Sequence, residues 1–204
     1  MPTHAAGDLL VMFACNTGAT TLPTVPSGWA TIGTRQGSGM ASVIATKVAA
    51  SASETAGTWT NATTLAVHVS RHSVNHIVVG AVSHNNRSGN VAIDYLTLVS
   101  SGSMNGQQRG VNWCIGFAAA TLNSTDMQTA PSGMTNRTSA AGASSREITV
   151  HDTNGDTTWA TTTYTASGAV SSHTAVVEIW DTGIAKSSGG GASLPLIGGK
   201  GLVY

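Results

Sequence analysis

No stretch of this sequence repeats its apolar residues every three to four positions over the length of a helix. They come instead in runs of about five to nine, rich in Val, Ile, Thr and Trp, such as LLVMFAC at 9–15, ASVIATKVA at 41–49 and TAVVEIW at 174–180. Clusters of Gly, Pro, Asn and Ser bound these runs, and that combination predicts strands separated by turns. Strands are expected at 9–15, 30–34, 41–49, 65–71, 76–83, 91–98, 111–121, 147–151, 158–165 and 173–180. No amphipathic helix follows any of them, which disfavours parallel crossover folds. The expected fold is all-β: an antiparallel two-sheet sandwich, jelly-roll-like. TWATTTYTA at 158–166 alternates as a half-buried strand does, whereas LLVMFAC does not and is expected to be covered on both faces.

The two halves of the chain echo each other. VMFACNTGATTLPTVPSGWATIGTR at 11–35 lies over IGFAAATLNSTDMQTAPSGMTNRTS at 115–139, with Phe-Ala, a Thr-rich loop, then Pro-Ser-Gly and a large apolar residue. Each half later reaches another apolar strand, LAVHVSR at 65–71 and TAVVEIW at 174–180. A duplication of about a hundred residues is suggested, with convergent turn chemistry as the alternative source of the match. Within it Pro-Ser-Gly reads as a recurring turn, with Trp29 packing behind it.

Composition narrows the function classes. Charged residues are only 9% of the 204, apolar residues are 41%, and the formal net charge is zero. That is the balance of a folding chain, with polarity supplied by Thr, Ser, Asn and Gly. The nine Lys and Arg are scattered, so nucleic acid is not an expected partner. No apolar segment has the length to cross a bilayer as a helix, and MPTHAAGDLL lacks the pattern of a secretion signal, so the chain reads as soluble and unsecreted. Cys15 and Cys114 lie within apolar runs and are expected to be buried, reduced thiols.

Reaction chemistry is hard to find. His68, His72 and His76 have the four-residue spacing of a helical zinc site, but in a strand His68 and His72 would be about 13 Å apart, too far to share one ion. Solvent-facing or turn histidines are the expectation. Asp152, Asn154 and Asp156 have the spacing of calcium-loop oxygens, yet Thr157 stands where glycine is needed, and Asn154-Gly155 reads as a hairpin turn between EITVH and TWATTTYTA. The acids form no paired motif, Glu178 is expected to point outward, and no Gly-x-Ser-x-Gly elbow occurs. No catalytic residue, metal or cofactor is assigned. Trp113 and Trp180 read as core, which leaves Trp29 and Trp59 as the candidate platforms for a sugar, with core packing the stronger reading for both.

PTHAAGDLLVMFA at 2–14, PSGWATIG at 26–33 and ASVIATKVA at 41–49 resemble a β-sandwich module of tailed-bacteriophage virion structural proteins, of the minor tail, fibre or decoration type. The resemblance is clear over roughly residues 2–50 and thin beyond. It implies a non-enzymatic structural protein located in the virion and assembled in the host cytoplasm, with homo-oligomers and other virion proteins as partners. Tail or fibre attachment is favoured slightly over capsid decoration. The family pattern has a strand before Pro-x-His, where this sequence begins, so the C-terminus or a neighbour is expected to supply that edge. A carbohydrate-binding module for host glycans and a polysaccharide hydrolase are the competing classes.

Residues 1–184 are read as the sandwich domain and 185–204 as a Gly/Ser linker and apolar docking tail. The tail carries Leu194, Leu196, Ile197, Leu202, Val203 and Tyr204. Burying them is worth about 9–18 kcal/mol, against about 11–22 kcal/mol to order the backbone. Added strand hydrogen bonds would tip that balance, so the tail is expected to dock on an adjacent subunit or on its own sandwich.

Overall fold

The computed structural model describes residues 1–71, 77–98, 103–104, 107–108, 112–121, 129–142, 146–157 and 159–181. The expected tail, and with it Leu194, Leu196, Ile197, Leu202, Val203 and Tyr204, lies outside them, as do His72 and His76.

The fold is all-β, two antiparallel sheets packed face to face. The first sheet contains β1 (Leu9–Asn16), β2 (Ala30–Gly37), β3 (Met40–Val48) and β4 (Thr64–Ser70), in the order β2-β3-β1-β4. The second contains β5 (Ile77–Tyr95), β8 (Asn112–Ala120), β9 (Thr135–Gly142), β10 (Arg146–Thr157) and β11 (Thr162–Asp181), in the order β5-β11-β8-β10-β9. Between β5 and β8 in sequence, β6 (Ser103–Met104) and β7 (Gln107–Gln108) pair as a short ribbon.

β1 shows why an apolar run need not alternate. It is central, between β3 and β4, and every residue is buried. Leu9, Val11, Phe13 and Cys15 face the core between the sheets, while Leu10, Met12 and Ala14 face a second cluster with Trp29 and Trp59 on the outer side. β8 is its counterpart: Ile115, Phe117 and Ala119 enter the shared core, and Cys114, Ala118 and Ala120 join an outer cluster with Ile93, Tyr95 and Trp159. Phe13 stacks on Phe117 across the sheets with ring centroids 5.5 Å apart. The buried thiols Cys15 and Cys114 form no disulfide and sit in different clusters, on opposite faces of the second sheet.

The echo in the sequence is an echo in chain path. The order β9-β10-β8-β11 repeats β2-β3-β1-β4, with β5 added beyond β11. Registers agree residue by residue: Phe13 faces Ile44 on β3 and Ala66 on β4, and Phe117 faces Val150 on β10 and Ala175 on β11. Both Pro-Ser-Gly segments form the same turn. Trp29 N–H donates to the Pro26 carbonyl at 3.3 Å and Met134 N–H to that of Pro131 at 3.0 Å. Gly28 and Gly133 have φ of 86° and 87°, the positive value that the third position of a type II turn requires.

Three expectations change. The strands expected at 76–83 and 91–98 are one strand, β5, and those at 158–165 and 173–180 join within β11, because the two long strands pair along each other through several bulges. β9, TNRTSAAG, has no apolar run to announce it; it is an edge strand, paired only with β10 and mostly exposed where its side chains are described. Asn154-Gly155 is not a hairpin turn: β10 continues to Thr157, with a register shift between Asp152 and Asp156, and pairs with β8 and β9 rather than with β11.

Candidate functional site

The inward-facing series of β8 (Ile115, Phe117, Ala119) extends one step further, to Trp113, which lines a cleft with residues of β4 rather than joining the core. Trp113 is therefore 39% exposed, against the expectation that it is core. The opposing strand there is β4, whose inward positions after Ala66 are polar: His68 and Ser70, where the matching positions of β11 are Val177 and Ile179. A polar pair cannot close the core as aliphatic side chains would. The result is a cleft of about 800 Å³ between β4 and the strands β8, β9 and β10, lined among others by His68, Arg71, Trp113, Arg137, Asp152 and Ile179.

A connected polar array forms its floor. Arg137 on β9 donates from Nε to Asp152 Oδ2 and from Nη2 to Asp152 Oδ1, both at 2.7 Å. This two-pronged geometry is the strong form of an arginine–carboxylate contact, and the bond raises the Arg137 pKa further. His68 Nε2 lies 3.1 Å from Asp152 Oδ2, and Ser70 Oγ lies 3.3 Å from His68 Nδ1. Asp152 is 2% exposed, so its charge is held by these partners rather than by water. At the rim, Arg71 donates from Nη2 to the Thr3 carbonyl at 2.6 Å, and its Nε is 3.8 Å from Asp8 Oδ2.

Ser70, His68 and Asp152 stand in the sequence of a hydroxyl, an imidazole and a carboxylate. Both carboxylate oxygens also accept from Arg137.

The other sequence candidates fall elsewhere. Trp29 and Trp59 are 8% and 7% exposed and pack edge to face at 5.8 Å, with Trp59 Nε1 donating to the Ala56 carbonyl at 2.9 Å. Neither presents a ring face to solvent. His68 is not solvent-facing but turned into the cleft, since its strand position points between the sheets. Asp152 serves the ion pair with Arg137 rather than a loop of oxygen ligands. Glu178 points to the outer face of the second sheet, opposite Cys114, as expected, but is buried there, and accepts from the Ala81 N–H at 2.9 Å beside the bulge between Val177 and Ile179. Among the described residues no group of three His, Cys, Asp or Glu could hold a metal ion. The signal for the cleft was in the sequence, as polar residues at inward positions of β4, but reading it needs the register of the other sheet.

No protein-family model, no curated protein and no solved structure matches the chain.

Proposed function

We propose that the chain is a non-enzymatic structural module of a tailed-phage virion, assembling on the particle surface with copies of itself and with other virion proteins. Tail or fibre attachment is the favoured location. What supports this reading is the use made of the residues that carry the family resemblance: each builds scaffold. His4 Nδ1 donates to the Pro2 carbonyl at 2.7 Å, and Asp8 accepts from the Ala5 N–H at 2.8 Å, closing a loop that turns at Gly7, where φ is 91°. Backbone bonds between Gly7 and Ala49 and between Ala49 and Asp8 then fasten that loop to the end of β3. Gly28 makes the turn, Trp29 fills the outer cluster, and Lys47 crosses over Gly28 to pair with Glu54 at 2.5 Å. A signature made of turn, anchor and staple residues is what a module selected for assembly needs.

The experiment is deletion of residues 192–204, with the rest of the chain intact. Light scattering should report a smaller assembly, and the variant should fail to enter particles. Unchanged assembly together with unchanged incorporation would refute the docking role of the tail and leave the assembly reading without its contact.

A further inference from the structure

The cleft has a second set of properties that assembly does not call for. Trp113 lines the cleft and is 39% exposed, while Trp29, Trp59 and Trp159 are all 7–8% exposed. Beside it, donors and acceptors are held in place before any ligand arrives: Arg137 and His68 on Asp152, and Ser70 on His68. A concave site of about 800 Å³ with an aromatic wall and a few convergent polar groups has the form of a small-ligand site.

Charge decides what ligand fits. Arg137 is matched by Asp152, and Arg71 at the rim lies beside Asp8. Among the described residues each arginine of the cleft thus has a carboxylate beside it, which leaves little surplus positive charge to attract a phosphate or a nucleic acid. An apolar side chain would also fit poorly, because it would strip water from the Arg137–Asp152 floor and return no hydrogen bonds. A sugar satisfies both surfaces. Its C–H face carries partial positive charge that suits the negative face of an indole, and its hydroxyls both donate and accept, as carboxylate and guanidinium neighbours require.

We propose that the cleft between β4 and β8–β10 is a binding site for a neutral saccharide, with Trp113 as the platform and the part-exposed Arg137, fixed in direction by its bonds to Asp152, as the group that reads its hydroxyls. The site is independent of the assembly role and stands or falls without it. It also differs from the platform expected at Trp29 and Trp59, which are enclosed.

The test is a glycan array carrying neutral and acidic oligosaccharides, probed with the intact chain and followed by calorimetry on the best neutral hit. Binding should be confined to neutral glycans and insensitive to salt. Trp113→Ala should weaken it by at least about tenfold, and Trp113→Phe, which keeps a ring, by less. Asp152→Asn should weaken it with thermal melting used to confirm folding. Three results would overturn the proposal: no neutral glycan bound at millimolar concentration, binding that Trp113→Ala leaves unchanged, or binding seen only after residues 192–204 are removed. The last would make the cleft the seat of the chain's own C-terminal segment.

Discussion

The two halves of the molecule follow one path with different filling. In the first, Met12 of β1 points outward and is covered by Trp29 and Trp59. In the second, the position of Met12 is Gly116, and a Cβ there would lie 2.7 Å from Met134 Sδ and 3.2 Å from the Tyr95 ring. Volume has moved from the strand to its cover: Met134 takes the place of Trp29, Trp159 that of Trp59, and Tyr95 of the added strand β5 fills what remains. The indole hydrogen bonds differ accordingly: Trp59 donates to the Ala56 carbonyl of its own loop, Trp159 to that of Leu96 just beyond β5. The comparison teaches that turn and topology are held while core residues trade volume, as close packing demands.

The sharpest way to break that comparison is at the shared centre. Phe13→Ala and Phe117→Ala should each cost about 3–5 kcal/mol in urea unfolding, since both rings are fully enclosed. The double variant should cost less than the sum, because each ring is the other's neighbour. A large effect in one half only would mean the halves do not share one core.

Acid should act next on histidines carried by the second sheet, two of which, His84 and His173, bond or pack against the first. His84, His151 and His173 lie on β5, β10 and β11 of the second sheet, and burial lowers the pKa of all three, to about 4 for His84 and His151. A lowered folded value means that the neutral form is the one the fold accepts. Stability is then complete above the ordinary histidine range and is lost as pH falls from about 6.5 towards 4, by about 3 kcal/mol at His151 alone. Urea midpoints measured across that range should fall, and His151→Gln should flatten the decline.

Smaller effects sharpen the volume exchange. Gly116→Ala should cost about 1–3 kcal/mol by overpacking, and adding Met134→Ala should recover part of it. At the turns, Gly28→Ala and Gly133→Ala should cost equal amounts of about 1–2 kcal/mol, because both force a side chain into positive φ while the nearest atoms stand 3.5 Å and 3.6 Å away. Unequal costs, by calorimetry, would show that the two turns are alike in sequence only.

What could be read from sequence follows from how local the signal is. β1, β3 and β4 are legible because an apolar run between turn formers is a local statement, and the Pro-Ser-Gly turns because glycine and proline restrict the backbone in place. β9 is not legible, since its polar residues TNRTSAAG are strand only by pairing with β10. The fusion within β5 and β11 is also a pairing effect, for each bridges its polar middle against the other. The cleft fails for a third reason. Whether Trp113 is core or platform depends on what the facing sheet sets opposite it, and whether His68 faces water or Asp152 depends on which strand lies opposite. Neither is encoded within reach of the residue itself.

Residue-resolved hydrogen exchange on the intact chain tests the central claim, that two equivalent halves close over one core. The amides of the central strands β1 and β8 should be the slowest and should exchange together, at the free energy of global unfolding. Exchange of one of these strands through an early, separate opening, while the other stays protected, would contradict it.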